Sequence, residues 1–153
     1  MYQILYKTRR YPLRDIPPTD TEPITQCEAS MRVTGIKQDI IDLLLKMGEE
    51  SHPREFAALL VEENGIICEV NLIPGTISGN TNATLLMDMI PLGSQYAGSA
   101  HSHPNGIIRP SHADISFFGR TGRCHLIIGY PYTKECFRCF TSNGTEQQIE
   151  VVS

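Results

Sequence analysis

The chain has 153 residues, 41% of them apolar and 20% charged, with a formal net charge of −4. That length suits one domain with a sizeable core, and that balance is ordinary for a soluble chain without an electrostatic footprint for nucleic acid. No run of eighteen apolar residues and no basic-then-apolar leader is visible, so neither a membrane span nor a secretory signal is expected, and the default location is the cytoplasm.

Residues 1–6 (MYQILY) can form a short strand. Residues 7–31 hold Pro12, Pro17, Pro18 and Pro23 among polar residues and read as an irregular extended segment. Together 1–31 form an N-terminal extension. Ile36, Ile40, Ile41, Leu43, Leu44 and Met47 recur at helical spacing, which predicts an amphipathic helix over 36–50. Strands follow at 56–61 and 66–73, with Glu62-Glu63-Asn64-Gly65 as a hairpin turn. Residues 74–82, rich in Gly, Thr and Asn, read as a loop, and 85–90 fit a strand or a short helix equally. A strand of small residues covers 95–103, and Pro104-Asn105-Gly106 turns the chain. Ser111 then reads as the N-cap of a second helix with Asp114 at N3, ahead of Ile115, Phe117 and Phe118. Strands at 124–130, 136–142 and 145–152 complete the chain, the last two joined at Asn143-Gly144. The fold class is α/β (α+β in another naming), a mixed sheet flanked by helices.

The chemistry concentrates in residues 100–118. His101, Ser102 and His103 are followed, after seven residues, by Ser111 and then Asp114. Imidazole and carboxylate suit a borderline metal such as zinc. Two histidines at i and i+2 on a strand share a face and can present two nitrogens to one ion. A third ligand from the following helix would leave an open position for water, as in catalytic zinc sites. Taken singly, Ser111 and Asp114 read as a helix cap, and His101 and His103 as an accidental pair. Their conjunction is what points to a metal. His112, inside the span, reads as solvated.

This pattern resembles the signature of the JAMM (MPN-plus) metalloprotease family, and the resemblance covers roughly 32–152, making 32–153 the domain. The family also needs a glutamate upstream at the start of a strand. Glu55 in HPREFAALLV fits that place, although by itself it reads as an exposed strand-edge carboxylate. Glu49 and Glu50 look like a helix end, and Glu62 and Glu63 like a turn. The resemblance implies a curved, cytidine-deaminase-like sheet with zinc at its edge, one Zn²⁺ held by His101, His103 and Asp114, and a water as fourth ligand. Glu55 would act as general base and then general acid, and Ser111 would donate to the oxyanion.

The implied activity is that of a zinc-dependent isopeptidase or peptidase, cutting after the Gly-Gly tail of a ubiquitin-like modifier or sulfur-carrier protein. Its partners would be ubiquitin-like conjugates or fusions, and a homodimer is compatible with it. The chain resembles the small stand-alone prokaryotic members, because it lacks room for the two insertions of larger ones. The corresponding family loop makes 74–82 a candidate substrate contact. Two other readings compete. RadC-type proteins share an H-x-H-P…S-x-x-D pattern, but neither a basic patch nor a helix-hairpin-helix domain is visible. Metal-free MPN scaffolds lack one or more ligands, whereas this chain has the full set.

The five cysteines, Cys27, Cys68, Cys124, Cys136 and Cys139, are odd in number and scattered, which argues against a disulfide framework. Cys136 and Cys139 form a C-x-x-C that would need Cys124 and His125 to complete a structural zinc site. Residues three apart on a strand face opposite ways, so free thiols are the preferred reading.

Overall fold

A computed structural model describes residues 32–73 and 95–153. The N-terminal extension, the loop at 74–82 and the ambiguous segment 85–90 lie outside them. The described elements are β1 (Gly35–Lys37), α1 (Gln38–Ser51), β2 (Ala57–Glu63), β3 (Ile66–Leu72), β4 (Gly98–His103), α2 (His112–Thr121), β5 (Cys124–Gly129), β6 (Phe137–Phe140), β7 (Glu146–Gln147) and β8 (Glu150–Val152).

The eight strands form one mixed sheet in the order β7-β6-β5-β4-β2-β3-β1-β8. β4 runs antiparallel to β2 and parallel to β5, and β1 lies parallel to both β3 and β8. Only Gln148 and Ile149 separate β7 from β8, yet these strands occupy opposite ends of the sheet. Three residue steps of extended chain reach about 10 Å. The two ends must therefore approach each other, and the sheet curls. The curved mixed sheet flanked by helices is the expected architecture.

Side-chain alternation along the strands sorts the core onto two faces. Leu60, Ala100, Leu126 and Ile128 join Ile40, Ile41, Leu44 and Leu45 of α1. Leu59 and Ile127 point the other way and meet Phe117 and Phe118 of α2. Close approach is built into β4. A Cβ on Gly98 would lie 1.6 Å from the carbonyl oxygen of Cys124 on β5, so only glycine lets these two strands pair there.

Among the boundaries that differ from expectation, three have a cause visible in the pairing or the turn. The helix predicted from 36 begins at Gln38, because Gly35–Lys37 pair with β3 and β8. Ile36 is fully buried and fits an apolar helical stripe or a two-sided strand equally well, so only the pairing decides. In the first hairpin, Glu62 and Glu63 belong to β2, and the turn is Asn64-Gly65 alone, with φ of 53° and 80°. Both residues sit in the left-handed region that a two-residue hairpin turn requires. The single strand predicted over 145–152 splits into β7 and β8, because the chain leaves one end of the sheet and joins the other.

Candidate metal centre

β4 is a central strand, so neither of its edges is free. Ala57 of β2 pairs with His101 on one side, and Ile127 and Gly129 of β5 pair with His101 and His103 on the other. His101 and His103 emerge on the face covered by α2, where the ring of Phe118 lies 5.9 Å from that of His101. After β4 the chain turns and starts α2 at Ser111. There a full capping box forms: Asp114 N donates to Ser111 Oγ (3.2 Å) and Ser111 N donates to Asp114 Oδ2 (2.6 Å). The cap therefore does more than end a helix. It aims the Asp114 carboxylate back at the two imidazoles.

Asp114 Oδ1 lies 3.2 Å from His101 Nε2, Asp114 Oδ2 lies 3.6 Å from His103 Nε2, and the two Nε2 atoms are 3.2 Å apart. All three potential ligand atoms fall within 4.8 Å of one another, and they form the one such group of three found among the described residues. His103 Nδ1 lies 2.7 Å from the carbonyl oxygen of Ile107. A carbonyl only accepts, so Nδ1 carries the proton, and in the neutral ring Nε2 keeps its lone pair directed at the cluster. A backbone carbonyl holding the far nitrogen of a histidine is a common support for a metal-binding imidazole. The donor set, its spacing and the tautomer of His103 all fit a zinc ion.

Electrostatics agree with that arrangement. Burial alone would raise the pKa of Asp114, but hydrogen bonds from the His101 and His103 rings when they are protonated, the charge of His101 and the Ser111 amide outweigh it and hold the carboxyl well below its usual range. Burial also works against protonation of His103. Its bonds to Asp114 and to the Ile107 carbonyl, with the charges of Asp114 and Glu55, turn the net shift upward.

Glu55 is exposed and stands two residues before β2, beside the strand that carries the histidines. Its charge reaches both His103 and Tyr132. The other acidic candidates are placed elsewhere. Glu49 and Glu50 pair with Lys46 at 2.9 and 3.9 Å, and Glu62 accepts from Gly65 N in the hairpin. Glu63 lies at the far end of β2 from the His101 register. Ser111 is exposed and caps the helix that carries Asp114. Its oxygen accepts from Asp114 N, which leaves its hydroxyl proton available to another acceptor. His112 is exposed on α2 and is not in the cluster.

Several neighbours of this site carry no local signature in the sequence. Ser102 Oγ accepts a hydrogen bond from Phe56 N at 3.0 Å, and His52 Nδ1 shares one with the Tyr132 hydroxyl at 3.1 Å. The residues in that second bond are 80 positions apart, so no local pattern signals it.

The C-x-x-C does not gather a metal group among the described residues. Cys124 and Cys139 are buried with their sulfurs 3.1 Å apart, while Cys136 lies beside Thr133. His125 points to the opposite face. It stacks on Phe118 (4.1 Å between ring centres), donates from Nε2 to the Gly122 carbonyl and accepts at Nδ1 from Ser99.

Burial pushes the His125 pKa down to about 4, against the pull of the Gly122 carbonyl. Below about pH 6.5 the unfolded chain binds a proton at this residue that the folded chain refuses. Its contribution to stability is therefore complete above pH 6.5 and declines as pH falls towards 4, by at most about 3 kcal/mol. A histidine NMR titration should place the midpoint of His125 near 4; an ordinary imidazole midpoint would refute the assignment.

Known proteins share this sequence pattern and fold. The profile for prokaryotic homologs of the JAB domain matches residues 37–141. A protein of Haloferax volcanii described as a probable metalloprotease is 38% identical over 133 residues, covering 80% of this chain and 82% of that protein. A solved structure described as a JAMM metalloprotease-like zinc site in the proteasome and signalosome superposes with a TM-score of 0.64 at 29% identity, over 79% of this chain and 99% of the other. A JAB1/MPN domain protein from Archaeoglobus fulgidus gives a TM-score of 0.64 at 31% identity, over 78% of this chain and all of the other. Among the described residues no helix is long and apolar enough to cross a membrane. The chain thus belongs to the prokaryotic branch of the JAB/MPN family, whose metalloprotease-like members share its curled sheet.

Proposed function

We propose that the chain is a zinc-dependent peptidase of the isopeptidase type, acting in the cytoplasm. It would hydrolyse the bond after the C-terminal Gly-Gly tail of a ubiquitin-like or sulfur-carrier protein. The observation that carries this reading is the convergence of His101, His103 and Asp114 within 4.8 Å, with Ser111 bonded to Asp114 through the helix cap.

His101, His103 and Asp114 would hold the ion. A zinc bound there would supply Lewis acidity and lower the pKa of a coordinated water to about 7. Glu55 would take a proton from the attacking water and deliver it to the departing amine as the C–N bond breaks. Ser111 would donate its hydroxyl to the oxyanion while still capping α2. Glycine at the end of the substrate suits such a site, because a chain without Cβ atoms can bring its backbone close to the cluster. β4 is paired on both sides, so an extended tail would find its backbone partners away from that strand.

The test is a gel assay with conjugates of several ubiquitin-like proteins. It compares zinc-loaded protein, chelated protein and chelated protein with zinc restored. Cleavage after the glycine tail that disappears with the chelator and returns with zinc is the expected result. A protein that takes up no stoichiometric zinc after reconstitution would instead support a scaffold role.

A further inference from the structure

The carboxylate proposed as the proton carrier is exposed, so its position depends on the backbone to either side. That backbone is fastened at both ends by side chains outside the ligand pattern. On the C-terminal side, Phe56 N donates to Ser102 Oγ (3.0 Å) and Ser102 N donates to the Phe56 carbonyl (3.1 Å). Ser102 is fully buried and lies between the two histidines, so the strand holding the imidazoles also grips the residue after Glu55. On the N-terminal side, His52 shares its 3.1 Å hydrogen bond with the Tyr132 hydroxyl.

Tyr132 is itself held in place. Its φ is 65°, a left-handed conformation that a bulky side chain rarely adopts without surrounding support. Its backbone N donates to the Gly129 carbonyl at 2.8 Å, and Gly129 is paired with His103. Its ring packs against α1 at Gly48, where a Cβ would come within 2.6 Å of Tyr132 Cδ1. Tyr132 therefore joins three parts: the end of α1, the loop carrying Glu55, and the end of β5 beside His103.

We propose that Tyr132, together with Ser102, is a positioning residue that fixes Glu55 over the His101–His103–Asp114 cluster. This rests on the peptidase reading above. Tyr132→Phe removes one hydroxyl and keeps the ring against Gly48, which makes it the cleaner probe. Ser102→Ala would strand a buried backbone N–H and risks the fold as well as the site.

The experiment combines steady-state kinetics on the cleavable conjugate, zinc content, and amide hydrogen exchange over residues 52–56. Val70→Ala, which truncates a half-buried side chain packed against the core from β3, controls for simple loss of stability. In Tyr132→Phe, kcat should fall on the order of tenfold, the scale of a small misplacement of a reacting group, with KM and zinc content unchanged. Exchange at 52–56 should quicken by at least about tenfold, as expected when a local tether is released. Val70→Ala should leave both quantities near those of the unmodified protein.

Unchanged kcat and exchange in Tyr132→Phe would overturn the proposal. So would a kcat loss matched by Val70→Ala. An unmodified, zinc-loaded protein that cleaves nothing would count against the peptidase reading instead. The exchange comparison would still decide the tether, so the two failures are read separately.

Discussion

Glu55→Gln is expected to lower kcat by roughly 10²–10⁴-fold, the usual worth of a positioned general acid–base group, while zinc stays bound at one per chain. The two halves of this result have separate causes. Glutamine matches glutamate in shape, so the loop tethered at Phe56 and His52 need not move. It cannot accept a proton at working pH, so water activation and leaving-group protonation are both lost. Zinc content should be unaffected because the ligand cluster comprises His101, His103 and Asp114 and does not include Glu55. Metal analysis beside steady-state kinetics checks both halves. A variant that keeps more than a tenth of the activity would remove Glu55 from the proton pathway. A variant that loses its zinc would make Glu55 a ligand.

The contrast between Glu55 and the His101–His103–Asp114 cluster shows what the sequence could and could not display. His101, His103, Ser111 and Asp114 lie within one strand–turn–helix unit, and each signal there is local. The i, i+2 spacing sets a common face, and the N-cap and N3 positions set the helix start. Asn64-Gly65 announced its turn in the same way, through residues suited to left-handed backbone. Glu55 stands beside the strand of the histidines only because β2 pairs with β4, and no periodicity in residues 55–61 says which strand will be its neighbour. Family resemblance singles it out where local pattern does not. Ser102 and Tyr132 are harder still, since their partners lie 46 and 80 positions away. Ile36 and residues 145–152 were misassigned for the same reason: burial was legible, but the strand partner was not.

His103→Ala is expected to abolish zinc binding and activity together. His103 contributes one of the three converging atoms, and the 2.7 Å contact of its Nδ1 with the Ile107 carbonyl orients the nitrogen that faces the cluster. Losing a supporting hydrogen bond alone typically costs 10–100-fold in metal affinity, so losing the ligand itself should exceed ~100-fold. Asp114→Asn makes a useful companion. Its side-chain oxygen can still accept from Ser111 N, so the helix start survives while the anionic ligand is gone. A fold defect and a metal defect are thereby separated. Thermal unfolding with added zinc reads the difference without any substrate. Zinc at about 100 times its dissociation constant should stabilise the unmodified protein by roughly 2.7 kcal/mol. His103→Ala should show almost no shift, and Asp114→Asn a much reduced one from an intact folded baseline. Tight zinc binding retained in His103→Ala would move the metal away from this cluster, and with it the roles proposed for Glu55 and Ser111.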